Sequence, residues 1–296
     1  MEKLKGIFPA LVTPFTEEGR VHHDSLRRIV RLNLEKGAAG FYVSGSTAEA
    51  FLLSAAERME ILKTVVDEVR GRAAVIYHVG CVHTGHAVEL GRYAASLGVA
   101  AISSVPPFYY KFSFPEIKGY YEEIMAQTGL PMIVYNIPAF SGVNFSMAQF
   151  QELTGNPQVV GIKHTSHDLF QLEQMKKLDA RLTVFNGHDE VFLGGLAMGA
   201  DGAIGSTFNF MAEKFIAIQR LFEANQIQEA QQLQREANQI IETLIRVGVF
   251  QGIKYLLGLM GIECGECRKP FRPLTAAEKR DLERLAGEQG YLRNAE

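Results

Sequence analysis

The run VVGIKH, residues 159–164, sets four apolar or side-chain-free positions ahead of a lysine and a histidine. A short, continuous apolar run bounded by turn residues fits a strand covered on both faces, whereas a half-exposed strand would alternate. Seven further runs have the same character: GIFPALV (6–12), GFYV (40–43), AAVIYHV (73–79), AAISSV (100–105), PMIVYN (131–136), LTVFNG (182–187) and GAIGS (202–206). The stretches between them have helical period. In DSLRRIVRLNLEKG, Leu26, Ile29, Val30 and Leu34 share one face and Gly37 stands at the stop. In SAAERMEILKTVVDEVRG, Ser54 is placed to cap the helix and Glu57 to complete a capping box. Alternating strands and helices build a parallel sheet. Eight units in about 220 residues point to an α/β fold, the closed (β/α)8 TIM barrel. An open doubly wound sheet would be shorter and would carry a glycine-rich loop after its first strand, where this chain has TPFTEEGR.

After residue 225 the pattern turns wholly helical. QIQEAQQLQREANQIIETLIRVG spaces Ile227, Ala230, Leu233, Ala237, Ile240, Ile241, Leu244 and Ile245 by three and four. Residues 249–260 are more apolar still, and Thr275 is placed to cap a last helix. With no low-complexity linker between them, a barrel over 1–225 and a C-terminal helical extension over 226–296 form one structural domain.

The 296 residues are 47% hydrophobic and carry a formal charge of −3 with the signs interspersed. There is neither a basic stripe for nucleic acid nor an acidic tail, so the expected partner is a small molecule. In the opening MEKLKGIFPALVTPF, Pro9 and Pro14 interrupt the apolar stretch and no small-residue cleavage site follows, so it reads as a first strand rather than a leader. No apolar run approaches a membrane span, and the expected location is the cytoplasm. Cys81, Cys264 and Cys267 are too few for a disulfide framework. The single CxxC at 264–267 lacks the second pair that a zinc site needs, and His83 and His86 read as helix surface.

Active sites of such barrels lie at the carboxyl ends of the strands. That rule selects residues 44–49, His78, Ser103, Ser104, Tyr135, Asn136, 163–165, 186–190 and 205–209. Lys163 is the informative one. A lysine with an ordinary pKa of about 10.4 is almost wholly protonated at neutral pH and is a poor nucleophile. Withdrawal from water disfavours the ammonium form and frees the amine to attack a ketone. Pairing with a barrel carboxylate, or reaching out to water, is the alternative for a lysine taken alone. Tyr135, on the neighbouring strand, is either a proton relay to substrate or a core aromatic. In SGSTAEA (44–50), the backbone amides and the hydroxyls of Ser46 and Thr47 suit a carboxylate, or form a simple turn and cap.

Taken together, ALVTPF, YVSGSTAEAF, HVGC, PPFYYKFSF, VYNIPAFSGV, GIKHTS, NGHDE, GAIGST and RKPF resemble the pyruvate-dependent class I aldolase family of dihydrodipicolinate synthase and N-acetylneuraminate lyase. The resemblance covers nearly the whole chain and is nearer to the sialic-acid-cleaving branch. Synthases of the family carry an arginine shortly after the tyrosine of YNxP, whereas here Asn136, Ile137, Pro138, Ala139 and Phe140 follow Tyr135. The resemblance implies that Lys163 condenses with the C2 ketone of open-chain sialic acid and that Tyr135 helps remove the C4 hydroxyl proton. The implied products are pyruvate and N-acetylmannosamine. It further implies Ser46 and Thr47 for the pyruvyl carboxylate, and Thr165, Gly187, Asp189, Glu190 and Ser206 for the sugar chain, with Phe250 beside it. No cofactor and no metal is implied. A homotetramer is, with Tyr109 reaching a neighbouring subunit's site. The sequence departs from the family at Ala48, which stands where glycine is usual. A positive φ there would strain the carboxylate loop. His164 and His188 occupy variable positions near the site.

Overall fold

The computed structural model describes residues 4–291. The first three residues of the opening stretch and the last five of the extension lie outside the described residues.

Each of the eight apolar runs holds one strand: β1 (Gly6–Pro9), β2 (Gly40–Val43), β3 (Ala74–His78), β4 (Ala101–Ser104), β5 (Met132–Asn136), β6 (Val159–His164), β7 (Thr183–Asn186) and β8 (Gly202–Gly205). They pair in parallel in the order β1-β8-β7-β6-β5-β4-β3-β2. The seam between β1 and β2 is closed by backbone bonds: Leu11 N donates to Tyr42 O at 3.0 Å and Ala39 N to Ile7 O at 3.0 Å. The sheet is therefore a ring, and the chain is a (β/α)8 barrel.

The helices are α1 (His23–Glu35), α2 (Ala55–Val69), α3 (Thr84–Ser96), α4 (Phe114–Thr128), the single turn α5 (Pro138–Ser141), α6 (Met147–Thr154), α7 (Leu169–Leu178), α8 (Phe192–Ala197), α9 (Phe208–Glu223), α10 (Ile227–Val247), α11 (Val249–Leu259) and α12 (Ala276–Glu288). The capping boxes Ser54/Glu57 and Thr275/Glu278 form as their spacing predicts. His83 is not simple helix surface: it is the N-cap of α3, and its ring accepts from His86 N.

Two apolar layers follow from strand alternation. Phe8, Tyr42, Ile76, Ile133, Tyr135 and Phe185 fill the barrel axis. Residues of opposite parity, among them Ile7, Phe41, Val134 and Ile162, meet the helices. The register slips between β5 and β6, where Met132 pairs with Val159 but Ile133 pairs with Gly161. Val160 is left without an opposite number. Downstream of this bulge Tyr135 stands level with Lys163, so the irregularity sets the height and facing of the lysine.

α10 and α11 pack on α9, and α12 packs on both of them. The apolar spacing of α10 holds at Ala230, Ala237, Ile240, Ile241 and Leu244, which are buried. Ile227 and Ile245, expected on that face, are 37% and 61% exposed. The buried stripe also takes in Gln234, and those two isoleucines fall on its edges. Among the described residues no helix is long and apolar enough to cross a membrane.

Closure also depends on Gly202. A Cβ there would lie 2.0 Å from Gly6 O and 2.5 Å from Gly6 N, against strand backbone rather than a side chain that could yield. Gly202→Ala is expected to open the β1/β8 ladder and destabilise the protein by about 3 kcal/mol or more; thermal or urea unfolding of the variant measures this, and a wild-type midpoint would refute it.

Candidate active site

Lys163 is 4% exposed, one position from the end of β6, and level with Tyr135 on β5 and Phe185 on β7. Its Nζ lies 4.0 Å from the centre of the Tyr135 ring and 4.4 Å from that of Tyr42. The two rings stand at 85° to each other, making an aromatic corner. Ring faces attract a cation electrostatically. No described residue gives this nitrogen a hydrogen bond or an ion pair, so the structural ion pair weighed above does not form.

The aromatic corner is fixed from behind. Tyr42 Oη donates to Ser103 Oγ at 3.1 Å, which donates to Ile133 O at 2.9 Å. Burial, with Tyr135 adding to it, pushes the Tyr42 phenol well above its ordinary value, so it remains a neutral donor. His78 packs edge-on against Tyr135. Burial and then the charge of Arg58 hold its imidazole well below the usual range. The neutral ring fits one tautomer, with Nδ1–H donating to Ser44 O at 2.9 Å and Nε2 accepting from Val105 N at 3.4 Å.

Ser46, Thr47 and Ala48 form a 3₁₀ turn after β2. The strain foreseen at Ala48 is absent: the positive φ values fall on Ser44 (57°) and Glu49 (59°). Ala48 instead accepts a bond from Thr13 Oγ1 on its carbonyl at 2.8 Å. Thr47 Oγ1 lies 2.7 Å from Ser206 Oγ, which joins the loop after β2 to the end of β8.

Thr165 Oγ1 is buried and has no hydrogen-bond partner among the described residues. A Cβ on Gly187 would lie 2.0 Å from it, so glycine at 187 makes room for that hydroxyl. Asp189 is buried. Its Oδ2 accepts from Thr207 N at 3.0 Å and from Thr207 Oγ1 at 2.7 Å, so only Oδ1 remains for a ligand, rather than both acceptors. Burial raises this carboxyl to about 6, against the bonds from Thr207. Burial also works on Glu190, but bonds from His188, its own backbone and His167, together with the His188 charge, outweigh it and bring Glu190 down to about 2. His167, His188 and Glu190 each bring one donor atom within 4.8 Å of the others. The two imidazoles are stacked 4.2 Å apart and 12° from parallel.

Phe250, in the first turn of α11, and Ser46 line one cavity of about 440 Å³ with Phe51, Phe108 and Ile137. Tyr109 is not brought to this site. It is 86% exposed and lines a separate cleft with Tyr110 and Asn144.

The profile of the Dihydrodipicolinate synthetase family matches residues 3–289. The chain belongs to that family. Among its curated relatives is N-acetylneuraminate lyase 2 of Escherichia coli O6:H1, 46% identical over 286 residues, covering 96% of this chain and 94% of the relative. Among solved structures, CdNal from Clostridium difficile in complex with mannosamine superposes with a TM-score of 0.94 at 39% identity, covering 97% of this chain and 99% of that one. N-acetylneuraminate lyase from Fusobacterium nucleatum complexed with pyruvate gives 0.92 at 38%, with 96% and 97% covered.

Several residues that shape this candidate site gave no sequence signal. Tyr42 reads as one more apolar strand residue in GFYV. Gln234 and Asn238 donate to the carbonyls of Asp189 at 3.1 Å and Glu190 at 3.0 Å, from a helix more than forty positions away. The spacing of four between them on one helix face is a cue visible only once the partner turn is known.

The raised carboxyl of Asp189 has a stability consequence. Between its ordinary value of 3.8 and about 6, the folded protein holds a proton that the unfolded chain has lost. Stability therefore declines as pH rises through that window, and the deficit is complete above about 6. Asp189→Asn keeps an acceptor for Thr207 and cannot ionise. Its thermal midpoint relative to wild type is expected to climb by several degrees from pH 4 to pH 7 and then level off; a difference independent of pH would refute the assignment.

Proposed function

We propose that this protein is a Schiff-base aldolase that cleaves N-acetylneuraminate reversibly to pyruvate and N-acetylmannosamine. The observation that carries the reading is the unpaired Lys163 nitrogen between the Tyr42 and Tyr135 rings, at the strand ends of a barrel whose relatives bear the lyase name.

In this reading the amine of Lys163 adds to the C2 ketone, and loss of water gives an iminium. Tyr135 relays the C4 hydroxyl proton, accepting it on its oxygen as its own phenolic proton passes on to water, while the C3–C4 bond breaks and the bonding pair flows into the iminium as an enamine. N-acetylmannosamine leaves as the aldehyde. Protonation at C3 and hydrolysis then release pyruvate and restore the amine. Ser46 and Thr47 hold the pyruvyl carboxylate. The open hydroxyl of Thr165, Asp189 Oδ1, Glu190 and Ser206 take the sugar hydroxyls over Gly187, and Phe250 covers an apolar part of the ligand. Alignment of the breaking bond with the iminium depends on these contacts. Asn136 to Phe140, with no arginine among them, favour the lyase over the synthase. The exposed Tyr109 and Tyr110 support a homotetramer in which Tyr109 completes a neighbour's site. The free cysteines suit a reducing, cytoplasmic setting.

Borohydride added with pyruvate is expected to fix a reduced adduct on Lys163, located by peptide mass mapping. Pyruvate release from N-acetylneuraminate should vanish in Lys163→Ala and fall about 10²–10⁴-fold in Tyr135→Phe. An unmodified Lys163 peptide, or turnover surviving in Lys163→Ala, would refute the reading.

A further inference from the structure

Glu49 holds a backbone conformation that its side chain disfavours, with φ of 59°, at the end of the Ser46–Ala48 turn. Asparagine or glycine would sit there with less strain. The carboxylate explains the choice. Oε1 accepts from Lys254 Nζ at 2.6 Å, and the two side chains are 0% and 1% exposed. Oε2 accepts from the backbone N–H of Arg268 at 2.7 Å. Lys254 also donates to Glu266 O at 3.2 Å and lies over the Phe15 ring. The Arg268 guanidinium donates to Leu52 O at 2.9 Å, at the far end of the same loop, and pairs with Glu57 at the start of α2. The loop is thus gripped at both ends by residues more than two hundred positions downstream. Within it, Glu49 N donates to Ser46 O at 3.0 Å, so the position of Glu49 fixes that of the Ser46–Thr47 turn.

We propose that Lys254 and Arg268 are positioning residues for carboxylate recognition: Lys254, acting through Glu49, and the Arg268 side chain, acting through Leu52 at the other end of the loop, fix Ser46 and Thr47 where the pyruvyl carboxylate binds. This rests on the imine reading above. A buried ion pair is often replaceable by uncharged residues at no loss of stability, whereas removing one partner strands the other charge. The test therefore removes both partners together. Glu49→Gly/Lys254→Met relieves the positive φ and leaves no orphan charge, so its thermal midpoint is expected at or above wild type. The pyruvate concentration that half-saturates borohydride trapping at Lys163 should nevertheless rise about tenfold or more, while half-saturation by N-acetylmannosamine in the condensation direction stays within about twofold. A merely structural pair would not divide the two substrates in this way. Wild-type pyruvate saturation in the folded double variant, or an equal rise for both substrates, overturns the proposal.

Arg268→Gln carries the same test if the double variant is not recovered folded, since the Arg268 side chain is 23% exposed and its loss strands no fully buried charge. It is expected to raise the pyruvate requirement about threefold by releasing the Leu52 end of the loop, and an unchanged value overturns the proposal. Wild-type controls separate the two levels. A wild type that pyruvate never traps sinks the imine reading and this proposal with it. A wild type that is trapped but does not cleave N-acetylneuraminate sinks only the substrate, and the pyruvate measurement still decides.

Discussion

An amine nitrogen buried between two tyrosine rings makes no hydrogen bond or ion pair to a described residue and has ring faces as its protein neighbours. Burial of an unpaired ammonium costs several kcal/mol, and such a group stays in place only where the scaffold leaves it no other position. Here the scaffold is a closed ring of strands. Phe8, Ile133 and Phe185 fill the axis around Lys163, and the bulge at Val160 sets the lysine level with Tyr135. The orphan hydroxyl of Thr165, the αL backbone of Ser44 and Glu49 and the one free oxygen of Asp189 are further local disadvantages gathered at the same end of the barrel. Concentration of strain and unsatisfied groups at one end is the usual mark of a site organised for a ligand.

The helical extension belongs to this organisation. Gln234 and Asn238 on α10 hold the turn that carries Asp189 and Glu190. Phe250 on α11 lines the cavity, and Lys254 on the same helix holds Glu49. Each end of the ligand reading, carboxylate and sugar, is thus supported by the extension as well as by strand ends. The barrel supplies the axis, and the appended helices fix the loops around it.

Local features of this fold could be read from the chain and long-range ones could not. Apolar runs reveal strands because burial on both faces demands continuous apolar sequence, and Ser54/Glu57 and Thr275/Glu278 reveal helix starts because a capping box is complete within four residues. Lys163 and Tyr135 were legible from their place at the ends of such runs. The bulge was not, since VVGIKH looks the same with or without a register slip and only the pairing with β5 distinguishes them. Neither was the role of Tyr42, whose residue type suits an ordinary strand interior, nor the Glu49–Lys254 pair, whose members are linked by nothing local. The doubt over Ala48 was misplaced for a related reason. Residue type there suggested strain, but the turn carries its left-handed positions at Ser44 and Glu49.

Tyr42 joins three levels of this structure in a single residue. Its carbonyl accepts the bond from Leu11 that shuts the ring, its hydroxyl is tied to Ser103, and its face borders the Lys163 amine. The wall of the candidate site and the weld in the cylinder are therefore the same piece of chain. A molecule whose first two strands have parted has, by that act, also disturbed one wall of the space around Lys163.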